Sequence, residues 1–388
     1  MIISRRVLVV LIAAFFVASA CYAGPRKKAQ PIVDPAQKDD AYRKMVDAFF
    51  SRGDADHDGT LTVPEIDAMV TDPAVRGSDA AIAVVFHRHL LRDDDEKTNG
   101  LAHADALALA ADPKIQHTIS ADAAHIQSVN RVVFLGNDPN LSAFHQGGMG
   151  DCYLLAVIGD YAFQHPQEVH NMIKSGPDGN FEVTFGNGKS VAVPPLTDAE
   201  LIMGAAEGRT HGIWLSVLEK AFALYHKEAK EKKTGEDIPD DESVVPDLIG
   251  HGGYYGPVIA LFSGHKTAGA PVGHWLKQDP KSAVDKMDEL LTKLSDEHRL
   301  MAVGTGHDST KAMPRGIPHG HVLSVLAYYR ASRTVRMFNP WGNTFTPKGA
   351  AGMVNGYPTQ YGIFDIPLAD FLKVFSGFNY ESDKPVAK

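Results

Sequence analysis

Cysteine is almost missing from this chain. Its 388 residues hold two, Cys21 and Cys152, which excludes a scaffold stapled by several disulfides. There is no H-E-x-x-H pair of zinc ligands. The glycine-rich run at 250–256 lacks the spacing and the βαβ context of a dinucleotide loop, and reads as a tight turn. Basic residues are in deficit, 38 against 47 acidic ones, for a net charge of −9. That balance argues against nucleic acid and anionic membrane surfaces as partners, and is compatible with calcium.

The main apolar run stands at the amino terminus. Residues 7–17 follow Arg5 and Arg6, and small residues come after them, up to Ala23. A basic start, a short apolar middle and a small-residue end describe an export signal over 1–23, with the mature protein periplasmic or extracellular. The run is too short for a comfortable membrane span. Lipid attachment at Cys21 is the alternative, although Ala18 stands where a lipoprotein signal usually has a larger aliphatic. Cleavage after Ala23 removes Arg5 and Arg6, takes the net charge from −9 to −11, and leaves Cys152 as the one thiol. An exported chain with a single cysteine, and His and Asn elsewhere, fits a catalytic nucleophile. The plainer reading is a small buried cysteine at a helix start.

The length suggests two or three domains. Residues 24–40 are rich in Pro, Lys, Gln and Asp and read as a linker. A helical stretch at 42–50 leads into residues 54–65, which match the calcium loop of an EF-hand. Asp54, Asp56 and Asp58 supply carboxylates, Thr60 a backbone carbonyl, Glu65 a bidentate carboxylate and Gly59 the sharp turn. EF-hands come in pairs. With Gly100 as the turn glycine, a second loop spans 95–106. It has Lys97 at its third position and Ala106 at its last, so it reads as a structural partner with weak or no binding. The all-α EF-hand module is thus expected over 41–115. His87 and His89 are two apart on a helix and are not a ligand pair.

Residues 112–140 read as a connection with a short strand at 132–134. A hairpin is expected over 181–193, a buried helix over 214–225, a charged surface insertion over 227–243 and a helix over 282–294. A strand follows at 301–303, and from His321 onward the pattern is sheet.

Cys152 stands directly before Leu154, Val157, Ile158 and Tyr161, which recur at helical spacing. A thiol at a helix N-terminus is expected to ionise more readily, because the helix dipole favours the thiolate. His321 is the matching base. Residues 321–328 and 332–339 read as two strands around a short loop, in a register that puts His321 directly opposite Asn339, with Cβ atoms roughly 5 Å apart. The Asn amide oxygen could then accept from the imidazole and fix its tautomer. His319 has no convincing third ligand and reads as an exposed loop residue.

Q-G-x-x-G-D-C followed by an aromatic and L-L at 146–155, G-H-x-x-S-V at 320–325 and N-P-W-G at 339–342 resemble the calpain family of papain-like cysteine proteases. The block at 214–222 resembles that family's core helix, and the likeness runs over 120–388. It implies an α+β, two-lobed cysteine endopeptidase acting on protein or peptide substrates. A helical lobe over 120–265 would carry Cys152, and a β-rich lobe over 266–388 His321 and Asn339. It also implies that Gln146 supplies an oxyanion-hole donor and that Trp341 shields the Asn–His hydrogen bond. Tyr153 departs from the family, which usually has Trp there. The alternatives are a catalytically silent, calcium-sensing binding protein and a thiol-dependent acyl transferase.

Overall fold

The computed structural model describes residues 35–90, 100–147, 149–205, 209–235 and 245–386. The export segment and most of the second acidic loop lie outside these residues. The chain begins with α1 (Pro35–Gly53), β1 (Thr60–Leu61), α2 (Val63–Thr71), α3 (Ser78–Leu90), β2 (Leu101–Ala102), α4 (His103–Ala111) and α5 (Pro113–Ser128). α1 starts at Pro35, inside the stretch read as linker. α5 fills much of the stretch read as a connection, because Asp112 caps it through the Lys114 N–H and Pro113 opens it. Thr62 and Glu65 cap α2 reciprocally.

The two acidic loops are tied by a two-residue antiparallel ladder, with Thr60 opposite Ala102 and Leu61 opposite Leu101. This ladder moves the frame expected for the second loop by one. Leu101, as the equivalent of Leu61, puts Asp105 and not Ala106 in the place of Glu65. Ala106 is fully buried in the helical core, where no ligand could be offered.

Next come α6 (Cys152–Gln164), α7 (Pro166–Met172), β3 (Ile173–Ser175), β4 (Phe181–Thr184), β5 (Ser190–Val193), α8 (Asp198–Met203), α9 (Trp214–Thr234), α10 (Val245–Ile249) and α11 (Tyr255–Ser263). β3 to β5 make a small antiparallel sheet that contains the expected hairpin. α9 runs on through much of the stretch read as a surface insertion and ends at Gly235 in the left-handed region. Residues 132–134 make no strand, but the carbonyls of Val132 and Val133 accept from Ile213 and Trp214 and so hold the start of α9.

The last part holds β6 (His265–Ala270), α12 (Val272–Gln278), α13 (Pro280–Asp296), β7 (Met301–Gly304), β8 (Val322–Tyr329), β9 (Thr334–Phe338), β10 (Thr359–Gln360), β11 (Ile363–Pro367), α14 (Leu368–Val374) and β12 (Gly377–Pro385). Its strands form a seven-stranded antiparallel sheet in the order β10-β11-β9-β8-β7-β12-β6. The chain is a mixed α+β fold.

Alternation along β8 decides which helices cover the sheet. Val322 and Leu326 join the core around α6 and α9, whereas Leu323 and Val325 join the core around α13 and α14. Both faces are therefore buried. α6 is fixed on its face by polar clamps as well as by packing. The Asp160 carboxylate accepts from the Met301 N–H at 2.6 Å, the Ser324 hydroxyl donates to the Ala156 carbonyl, and the Gln164 amide donates to the Leu326 carbonyl at 2.6 Å. Gly159 lets the helix come this close: a Cβ there would stand 2.5 Å from the Phe338 ring.

α8 belongs by sequence to the second part, yet Ala199, Ile202 and Met203 are buried in the core of the first. The Thr197 hydroxyl donates to the Val70 carbonyl, and Asp198 accepts from the Gly77 N–H, both at 2.8 Å. The amino-terminal helices are thus packed into the rest of the protein.

Candidate active site

Cys152 is the first residue of α6 and lines an open cleft of about 1170 Å³. One wall is 250–257, the run read from sequence as only a turn. The other holds Gly304, Gly306, His307, His321 and Val322. Gly150 holds the first wall, its N–H donating to the Gly250 carbonyl at 2.8 Å. Tyr153 is buried with its ring against Gly253, where a Cβ would stand 2.5 Å from the ring. Tyr254 is 85% exposed beside it, an aromatic surface at the cleft. This wall was missed because glycines carry no side chain to announce a site.

His321 is buried, and its Nε2 bonds the Asn339 Oδ1 at 2.9 Å. That oxygen also accepts from the Trp341 N–H at 3.1 Å, which fixes the amide orientation. The Trp341 ring lies 4.8 Å from the imidazole, centroid to centroid. The His321 backbone is held by Thr305, whose hydroxyl accepts its N–H and whose own N–H donates to its carbonyl, both at 3.0 Å. A neutral imidazole with its proton on Nε2 leaves Nδ1 as an acceptor in the cleft.

The expected register does not hold. Ser324 lies opposite Phe338, so His321 and Asn339 are diagonal neighbours, not direct ones. Arg333, in the left-handed region, lengthens the turn. Between the turn and the site, Leu326 is an extra residue that shifts the pairing by one. Without that bulge the offset would be odd and would split His321 and Asn339 onto opposite faces. The Gln164 amide satisfies the Leu326 carbonyl, so the bulge is held by the helix that carries the nucleophile.

Electrostatics at Cys152 also run against the dipole expectation. Burial pushes the thiol up, and the charge of Asp151 adds to that rise. The backbone N–H groups of Val322, Tyr153 and Cys152 itself pull the other way without overcoming it. Burial pushes the His321 imidazole down against the opposing bond to Asn339. Both shifts favour the uncharged form of the group, thiol or imidazole.

Gln146 is placed differently from its expected role. Its Nε2 donates to the Met149 carbonyl and to the Asp151 Oδ1, both at 2.8 Å, which uses both amide protons on its own loop. Its Oε1 is buried without a partner. The cause lies behind the nucleophile. Asp151, fully buried, faces Glu219 of α9, 1% exposed, in a carboxyl–carboxyl contact. Burial pushes both acids up, and Glu219 rises further beside the charge of Asp151. One proton between them satisfies the pair. Glu219 also accepts the Ala205 N–H at 3.1 Å.

Asp54, Asp56 and Asp58 lie far from this cleft in sequence and bring carboxylate oxygens within 4.8 Å of one another. The Asp54 oxygens are aimed by the N–H groups of Asp58 and Gly59, both at 3.1 Å, and the Asp58 Oδ1 by the Thr60 N–H at 2.7 Å. Glu65 accepts from the Ala55 and Thr62 N–H groups and the Thr62 hydroxyl. His87 is buried against Asp67 at 3.2 Å, and His89 does not join it.

Cys152 and His321 thus line one open cleft, and Asn339 orients the imidazole. A family model, "Calpain family cysteine protease", matches residues 123–350. That is more than half of the chain, and the chain belongs to the calpain family of cysteine proteases. No curated protein matches it. Among the described residues no helix is long and apolar enough to cross a membrane.

Proposed function

We propose that this chain is an exported, calcium-binding cysteine endopeptidase working through Cys152, His321 and Asn339 on a papain-like pair of lobes. The observation that carries this reading is the 2.9 Å bond from His321 to Asn339, on the wall of the cleft that Cys152 lines. Cys152 attacks the peptide carbonyl while Nδ1 of His321 takes its proton. That proton goes to the leaving amine, and water then hydrolyses the thioester. Asn339 keeps the imidazole in the tautomer this needs, and Trp341 keeps water from their bond. Gln146 serves as an oxyanion donor only after one of its amide protons leaves Met149 or Asp151.

The amino-terminal helices are read as an EF-hand pair. The paired loops, the convergent aspartates and Gly59 at a φ of 86° support this. Asp54, Asp56, Asp58, the Thr60 carbonyl and Glu65 would hold calcium, which supplies the positive charge that such a group of acids lacks. Asp105 closes the second loop with a shorter carboxylate than Glu65, so the first loop is the stronger site. A bonded route runs from this module toward the nucleophile. It passes from Val70 and Gly77 to α8, then from the Ala205 N–H to Glu219, and from Glu219 to Asp151 beside Cys152. Calcium regulation of cleavage would use this route.

The raised Cys152 thiol and the occupied Gln146 amide favour the silent binding protein as a second reading. Fluorogenic peptide hydrolysis by wild type, Cys152→Ala, His321→Ala and Asn339→Ala, each with calcium and with chelator, separates the two. The first two substitutions should abolish cleavage, and Asn339→Ala should leave a residue of it. Cleavage unchanged in Cys152→Ala, or missing from wild type with calcium, defeats the proposal. Conjugates formed on adding amines would point to acyl transfer. Mass spectrometry should find the mature chain starting near Gly24, and an acylated Cys21 would replace the export reading with a lipoprotein one.

A further inference from the structure

A second arrangement of nucleophile, base and acid lies outside the Cys152 cleft. Ser142 Oγ is 3.0 Å from Nε2 of His211, and Nδ1 of His211 is 2.6 Å from Oδ1 of Asp138. Asp138 is buried, and its other oxygen accepts the N–H groups of Gly212 at 2.6 Å and Leu135 at 2.9 Å. Those two donors hold the carboxylate aimed at His211. It therefore fixes the proton on Nδ1 and leaves Nε2 free to accept from the serine. Ser142 and His211 are only part-buried, and both line an open cavity of about 510 Å³. Leu141, Tyr361 and Ile363 give it an apolar wall, and none of its lining residues lines the Cys152 cleft.

We propose that Ser142, His211 and Asp138 form a second, serine-dependent acyl-transfer site that hydrolyses small carboxylic esters. The volume suits a small ligand, and the apolar wall suits a short acyl chain. Ser142 Oγ bonds to the ester carbonyl carbon as its proton passes to Nε2 of His211. The bond to the alkoxy oxygen then breaks, and the alcohol leaves with that proton. Water next attacks the acyl-serine, gives a proton to Nε2 and releases the carboxylic acid, and the proton returns to Ser142. Asn140 lines the same cavity. Its Oδ1 accepts from the N–H and hydroxyl of Ser142, both at 2.9 Å. In the resting state the serine hydroxyl shares its proton between Asn140 and His211, and the attack needs the second partner.

The opposing idea is that these bonds only latch residues 138–142 to residues 210–212. Full-length Cys152→Ala protein, which lacks the thiol, separates the two. It is treated with a fluorophosphonate probe, and the labelled peptide is read by mass spectrometry. It is also assayed against p-nitrophenyl acetate. The label should fall on Ser142, and ester hydrolysis should drop at least tenfold when Ser142→Ala or His211→Asn is added. A protein that folds but takes no label at Ser142, or one whose hydrolysis survives Ser142→Ala, overturns the proposal. Mapping the label needs no change at Ser142, so a misfolded variant cannot hide the answer.

Discussion

Two groups of acids in this chain sit in opposite surroundings. Asp54, Asp56 and Asp58 converge in a loop where the second and third are exposed and the first is buried. Asp151 and Glu219 meet in the core behind Cys152, shut from solvent. In the loop, backbone N–H groups and open surroundings solvate the acids, and a bound cation would relieve their repulsion. In the core, ionising both would put two like charges in an apolar medium, and the repulsion is relieved by keeping a proton. The same side chains thus make a candidate cation site in one place and a neutralised strut in the other. Burial decides which.

The widest test of this contrast is to remove one acid from the core. Glu219→Ala leaves the Ala205 N–H without an acceptor, strands Asp151 and opens a cavity. Unsatisfied buried groups lose about 1–3 kcal/mol each, so a loss of about 3 kcal/mol or more is expected in urea unfolding. An effect under about 1 kcal/mol would mean that solvent reaches the pair.

The loop is expected to respond to calcium instead. Calcium at a hundredfold excess over Kd stabilises the folded state by about 2.7 kcal/mol. Glu65→Gln should lose much of that gain, and should melt like wild type in chelator. Calorimetric titration should show the weakened site in the variant. Equal affinities in the two proteins, or two equally strong sites in wild type, would break the assignment of the ion to residues 54–65. α8 gives Ala199, Ile202 and Met203 to this module's core. Deleting the module would therefore expose them, and the calcium-dependent shift should reach the whole protein.

Legibility in the sequence follows the same divide between near and far. The convergence of Asp54, Asp56 and Asp58 was legible because the three lie within five positions. The second loop's frame was misread by one, because Gly100 was taken as the turn glycine and the ladder from Leu61 to Leu101 is a contact across forty residues. Cys152, His321 and Asn339 were legible as motifs. Their geometry was not, since the register depends on the turn at Arg333 and the extra Leu326. The state of the thiol was misjudged because a helix N-terminus is visible in sequence and burial beside Asp151 is not. Asp138, Ser142 and His211 carried a weak signal at best, with about seventy residues between the acid and the base.

pH gives the next smaller effect, and its sign differs between the two groups. Burial alone would raise Glu65, but the Thr62 N–H and hydroxyl and the Ala55 N–H outweigh it and hold the carboxyl below its usual range. Its stabilising contribution is present above the unfolded carboxylate range and fades as pH falls. Asp151 and Glu219 are raised, so the folded protein holds more protons than the unfolded one above about pH 4. Their contribution is complete below that point and is lost as pH rises toward their folded values. In chelator, stability should therefore decline from about pH 4 toward neutrality by the part these two acids contribute. A variant without them should lack that decline.

Glu219→Gln is the smallest change that isolates it. The amide oxygen can still accept the Ala205 N–H, and the amide nitrogen can donate to Asp151 with no proton to share. Volume is conserved, so stability at low pH should stay within about 1 kcal/mol of wild type. With a fixed donor facing it, Asp151 should ionise more readily, and the decline of stability above about pH 4 should flatten. An Asp151 carboxylate that keeps its charge also holds the Gln146 amide more firmly on its own loop, away from the cleft. Peptide cleavage should then fall in kcat more than in KM if Gln146 must swing out to serve the oxyanion. Urea unfolding at several pH values and steady-state kinetics on the same protein read both effects. A variant with the wild-type pH slope would show that the buried pair does not hold the extra proton. A flattened slope with unchanged kcat would show that Gln146 takes no part in the reaction.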